Sequence, residues 1–231
     1  TIKAKMVGRW SDGVPLMLAP TYEKWRAFNE QWNDIPEYRR IKFEGGTLND
    51  GQKKRLAEYN RLLIDFKYAD DLEGSKCPVS AHIRRANTRD MLDPRIASGK
   101  ELAGSALNKR RRILRRGLPY GQSTNGSGTD DGEQGIIFMA VCASLFRQFE
   151  FVQQQWMNYG LDFNVGNDTC PVIGQRPEQA KFVIAADPDS GKPPFICDEL
   201  PPFVTTRGGE YFFLPSLSAL RMIATGTVDP T

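Results

Sequence analysis

Residues 135–145, GIIFMAVCASL, form a continuous apolar run of strand length, the pattern of a strand buried on both faces. Helical periods flank it on either side. Residues 21–32, TYEKWRAFNEQW, open with a Thr cap and set Trp25, Phe28 and Trp32 at helical spacing. The pattern returns over 50–66 through Leu56, Tyr59, Leu62, Leu63 and Phe66, and over 146–159 through Phe149, Val152 and Trp156. A short helix with Pro at or near its first position is predicted over 215–224. Extended segments are predicted within 2–20, on both sides of a turn at Ser11-Asp12-Gly13, and again over 181–186 and 210–214, with 187–195 as a turn-rich connector. Strands both before and after the helical pieces favour an α+β fold.

With 231 residues, 40% of them hydrophobic, the chain has enough apolar material for one large domain or two small ones. A net charge of +3 is too small to announce a nucleic-acid protein. No apolar run approaches the roughly 18–20 residues that span a bilayer. The four cysteines, Cys77, Cys142, Cys170 and Cys197, form no C-x-x-C pair, so neither a zinc site nor a dense disulfide framework is suggested. The most basic run is 109–116, KRRRILRR, which reads as a strand with some inward arginines, as a solvated face, or as a binder of phosphate backbones. Residues 122–134 are a polar, glycine-rich loop on which Asp130, Asp131 and Glu133 read as solvated.

His82 is the only histidine, so any imidazole chemistry uses it. It lies on a loop within KCPVSAHIRRANTR, residues 76–89, with Arg84, Arg85 and Arg89 directly behind it. A neutral imidazole is a good axial ligand for haem iron, and nearby guanidiniums are natural partners for the two propionates. A lone histidine is also commonly a surface or satisfied core residue, and the residue types leave both readings open.

The phrase CPVSAHIRRANTR, followed by RRILRRGLPYG and by GEQGIIFMAVCASLFRQFEFVQQQW, resembles the carboxy-terminal half of the dye-decolourising peroxidases, a family of haem enzymes. AKMVGRWSDGVPL is similar to a segment these proteins carry just past their midpoint, and the likeness runs in register over 3–156, returning at EYFFLPSLSALRMIA. The resemblance implies one haem b per complete enzyme, with His82 as proximal iron ligand. Arg115, matching the arginine of the phrase I-x-R-x-x-x-P-F/Y-G, would stand over the distal face, where Ile136 and Phe138 narrow access. Ser144 stands about where many relatives place a carboxylate that orients the proximal histidine.

Trp156, Tyr120 and Tyr159 are the candidates for passing electrons to the surface. The implied reaction uses hydrogen peroxide to oxidise dyes, phenols or similar aromatic donors.

The implied fold is two ferredoxin-like halves bracketing the haem, this chain (1–231) being the second, with surface insertions at about 21–75 and 90–108. The family's distal aspartate lies in a G-x-x-D-G motif. Gly8-Arg9-Trp10-Ser11-Asp12-Gly13 has one residue too many and Asp12 reads as a turn residue, so the distal aspartate is expected from a missing segment or a partner chain. Any leader would lie on that part too, which leaves the compartment open. The alternatives are other haem chemistry on the same scaffold, such as porphyrinogen oxidation or iron release from haem, and a non-enzymatic module binding nucleic acid through 109–116.

Overall fold

The computed structural model describes residues 1–92, 106–121, 134–175, 181–187 and 190–227. The chain is α+β: short helices carry most of the core, and the strands form two antiparallel pairs. It begins with helix α1 (Ile2–Val7), where an extended segment is predicted. Tertiary contact decides this, because Ala4, Lys5 and Met6 are buried and the Lys5 Nζ donates to the Ser75 and Lys76 carbonyls at 3.2 and 2.7 Å. Gly8 ends the helix in the left-handed region (φ 96°), a backbone conformation that favours glycine. The following turn is held by Asp12, whose carboxylate accepts from the Val14 amide, Trp25 Nε1 and Asn29 Nδ2.

Helix α2 (Tyr22–Gln31) starts where Thr21 Oγ1 accepts the Lys24 N–H. Helix α3 (Ile35–Phe43) carries Pro36 in its first turn, where the missing N–H costs nothing. Helix α4 (Asp50–Leu62) is opened by a reciprocal Asn49–Gln52 capping box. These helices enclose Trp32, Ile35, Leu48, Leu56 and Tyr59, so the stretch read as an insertion has an apolar core of its own. A second core of Ala4, Trp10, Val14, Leu16, Ala19, Tyr68, Cys77 and Ala81 joins it to the amino-terminal segment, with Trp10 stacked on Trp25 at 5.1 Å. A third comprises Val152, Trp156, Met157, Phe163 and Cys170. Helix α5 (His82–Ala86) lies between the second and third.

The basic run divides into helix α6 (Ala106–Arg111) and the first residues of strand β1 (Leu114–Tyr120), instead of forming one strand. The helix is tied down by Asn108, bonded to Asn87 and Thr88, and by Arg111, which donates to the Arg147 carbonyl over the Phe151 ring. Strand β1 pairs with β2 (Gly135–Val141) from Leu114↔Val141 to Tyr120↔Gly135. The expectation that this strand is buried on both faces is corrected: Ile136, Ile137, Phe138, Met139 and Val141 are exposed, because among the described residues the pair has no covering layer.

Two π-helical stretches follow, Phe146–Glu150 and Val152–Met157, with the Glu150 amide reaching back to Leu145 O. Strands β3 (Phe182–Ile184) and β4 (Phe195–Cys197) form the second pair, β4 starting on the last residue of the predicted connector. Residues 210–214 form no strand; Phe212 and Phe213 stand 85% exposed, without the partner strand that would give their backbone a ladder. Helix α7 (Leu217–Thr225) is capped by Ser216. Among the described residues no helix is long and apolar enough to cross a membrane. Most of the predicted excursion over 90–108, and the loop with Asp130, Asp131 and Glu133, lie outside the described residues.

Candidate functional site

The site is built outward from a buried carboxylate. Asp71 accepts from Ser75 Oγ and the amides of Lys76 and Cys77, each at 3.0 Å, folding the turn that precedes Pro78. It also accepts from Arg84 Nη1 at 3.0 Å, with both side chains essentially inaccessible. Arg84 donates further to the Cys77 and Asp71 carbonyls, both at 2.6 Å, and lies over the Tyr68 ring. Arg85 reaches the other way: Nη1 donates to Trp156 O at 2.8 Å, Nη2 to Asp168 O at 2.7 Å and to Ser80 Oγ at 3.0 Å.

The propionate role expected for Arg84 and Arg85 is therefore corrected. Both are 0% exposed and their terminal nitrogens are spent on protein oxygens, a structural use for an otherwise costly buried charge, although the Arg85 Nε has no partner. Arg89 differs. It is only half-buried, has a left-handed backbone (φ 52°), donates to Ile64 O and Phe66 O, and stacks at 3.8 Å on Phe66; its Nε, like those of Arg85 and Arg111, has no partner.

Consecutive helical residues are about 100° apart, so with Arg84 and Arg85 directed into two packed layers, His82 is left on the remaining face of α5. Its predicted loop position is corrected to the first residue of this short helix. The ring is half-buried, and burial, then the charge of Arg115, hold its pKa below the ordinary value, which keeps the imidazole neutral. Nδ1 lies 3.2 Å from Cys170 Sγ, while Nε2 has no hydrogen-bond partner among the described residues. Ser144, at the position where many relatives place the orienting carboxylate, has its Oγ accepting the Arg147 amide at 3.3 Å. Cys170 is fully buried, and burial pushes its thiol pKa up.

Arg115 is on β1, exposed, and near enough for its charge to reach the imidazole. Its cross-strand partner is Ala140, and Gly117↔Phe138 and Pro119↔Ile136 follow. Side chains alternate along strands, so Arg115, Phe138 and Ile136 share one face of the pair. Trp156 is 1% exposed, packed edge-on to Phe151 and Phe163. As an electron port at the surface it is corrected, whereas Tyr120 and Tyr159 are 43% and 45% exposed. The donor set suits a haem: one neutral imidazole with a ring nitrogen open, a half-buried guanidinium on Arg89, and a cation on the strand face.

These features describe a single-histidine site on an α+β scaffold, with an arginine on the strand face beside it. Residues 40–162 match the family described as Dyp-type peroxidase, C-terminal. The chain is 33% identical over 235 residues to Peroxidase 2 of Mycetinis scorodonius, an alignment covering 94% of this chain and 39% of that protein. Its fold matches a fungal DyP-type peroxidase from Auricularia auricula-judae with a TM-score of 0.59 at 27% identity, covering 95% of this chain and 44% of that one. A dye-decolorizing peroxidase solved in complex with 2,6-dimethoxyphenol matches with a TM-score of 0.60 at 26% identity, over 95% of this chain and 41% of the other.

This chain belongs to the DyP-type peroxidase family, in the part that forms the carboxy-terminal domain. It spans about two fifths of the length of the curated relatives it matches.

Proposed function

We propose that this chain is the haem-binding part of a peroxidase that uses hydrogen peroxide to oxidise dyes, phenols or similar aromatic donors. The observation that carries the reading is His82, a neutral imidazole with Nδ1 engaged and Nε2 open, the state in which histidine ligates iron. Haem b, when bound, supplies the iron at which peroxide is cleaved and the electrons of the donor are received. His82 would hold the iron through Nε2, and Arg89, half-buried where Arg84 and Arg85 are sealed, is the one of the three arginines best placed for a propionate.

Arg115 brings a cation that never gives up its proton to the peroxide oxygen on which negative charge develops as the O–O bond breaks. Phe138 and Ile136, on the same strand face, limit that side to small molecules. Tyr120 and Tyr159 are the exposed rings able to pass electrons from donors too bulky to enter.

Moving the proton between the peroxide oxygens is a separate task for an aspartate, which we assign to an amino-terminal half, carried on the same polypeptide or on a second chain. The exposed apolar faces of β1 and β2 support this, since they need a covering layer. A visible spectrum of the protein with every co-purifying chain retained, and haemin added, tests the reading. A Soret band that moves on adding peroxide and is lost or shifted in His82→Ala is expected. No stoichiometric haem, even after adding back an amino-terminal half, would overturn it.

A further inference from the structure

We propose that Cys170 is the positioning residue for His82: its sulfur accepts the Nδ1–H hydrogen bond, holding the imidazole in the tautomer whose Nε2 lone pair is free to ligate. The inference rests on the haem reading for its purpose and on the contact itself for its geometry.

The Nδ1 to Sγ distance of 3.2 Å is a close hydrogen-bonding distance for sulfur. The contact spans two layers that are both anchored. His82 is held through α5, whose Arg84 and Arg85 are bonded into the cores on either side. Cys170 is held by its own amide, which donates to Met157 O at 2.7 Å, and by its carbonyl, which accepts the Gly174 N–H at 3.0 Å. With 0% exposure, Sγ has no water to bond, so the imidazole N–H is its natural partner from across the interface.

Were the roles reversed, with S–H donating to Nδ1, the ring proton would sit on Nε2 and close the nitrogen that has to ligate.

Ligating histidines usually direct their other N–H to a carboxylate, a backbone carbonyl or water. A thiol sulfur is a weaker acceptor than any carboxylate. It therefore orients the ring while giving little additional electron density to it. The consequence is a ligand fixed in direction but weak in donation, and substituting a carboxylate here would strengthen that donation.

Because His82 is the only histidine, a chain labelled with 15N-histidine yields one imidazole spin system, and its two nitrogen shifts report the tautomer without any haem. In the neutral pH range the wild-type chain is expected to show a protonated Nδ1 and a bare Nε2. Cys170→Ala should move the ring toward the Nε2–H form that a free imidazole prefers in water, and Cys170→Ser should restore part of the wild-type pattern if Ala disturbs folding.

In the haem-loaded protein, with any partner chain retained, the ferric/ferrous midpoint should shift negative in Cys170→Asp and positive in Cys170→Ala. A wild-type ring protonated on Nε2, or tautomer and midpoint unmoved in all three variants, overturns the proposal. If the tautomer follows Cys170 but no haem binds, the hydrogen bond stands and the haem reading alone is lost.

Discussion

Cys77 shares a wall with Gly8 and Arg84 and has no access to solvent. Burial pushes its thiol up to about 12 from an ordinary 9.0, the nearby Arg84 pulling it partly back and Asp71 adding to the rise. In the unfolded chain the same thiol ionises near its ordinary value. Unfolding therefore releases a proton above that point, so the contribution is whole below pH 9 and is lost as pH rises toward 12, at about 1.4 kcal/mol per pH unit. Denaturant titrations at pH 8 and pH 10, which straddle the ordinary value, should differ by about 1.4 kcal/mol in the wild type, with the component missing from Cys77→Ala. At this scale residue type and phrase mark His82 and Arg115 as candidates. Cys170 is not so marked, since its meaning lies in a contact with a residue 88 positions away.

Helix α5 has little stability of its own, being five residues long with no side-chain cap at its start. What holds it is the Arg84–Asp71 pair and the carbonyls around it. Removing one partner of a buried pair leaves an uncompensated charge, so Asp71→Ala should cost about 3–5 kcal/mol in a denaturation experiment. The loss should be accompanied by weaker binding of haemin, because the same turn sets the direction of His82. Longer elements could be read from pattern: α2 and α4 carry caps and an apolar period that local chemistry explains. Short ones escaped it. Helix α1 forms because Lys5 finds carbonyls at 75 and 76, and β4 because Phe195–Cys197 finds β3.

Across the whole molecule, apolar surface collects on the β1–β2 pair and on 211–223, where Phe212, Phe213, Leu214, Leu217 and Ile223 stand out into solvent. Patches of this kind in a soluble chain mark an interaction surface or an aggregation hazard. The chain by itself should self-associate and bind a hydrophobic dye. Hydrogen exchange should be fast in 114–120 and 135–141, then slow when an amino-terminal half is supplied. Unchanged exchange would count against that half as the covering layer.

The amino-acid order alone was enough for the α+β class, the long capped helices and the β2 strand, and it named His82 and Arg115 as the candidates on which the proposed function rests. Helical period, caps and short phrases depend on neighbours within a turn or two, so they survive without the fold. Only the tertiary structure decided that Arg84 and Arg85 turn inward, that Trp156 is sealed from the surface, and that a cysteine, not Ser144, meets the imidazole. Those outcomes depend on which buried charges and sulfur atoms find partners across the core, and burial and long-range hydrogen bonding are set only when the layers close.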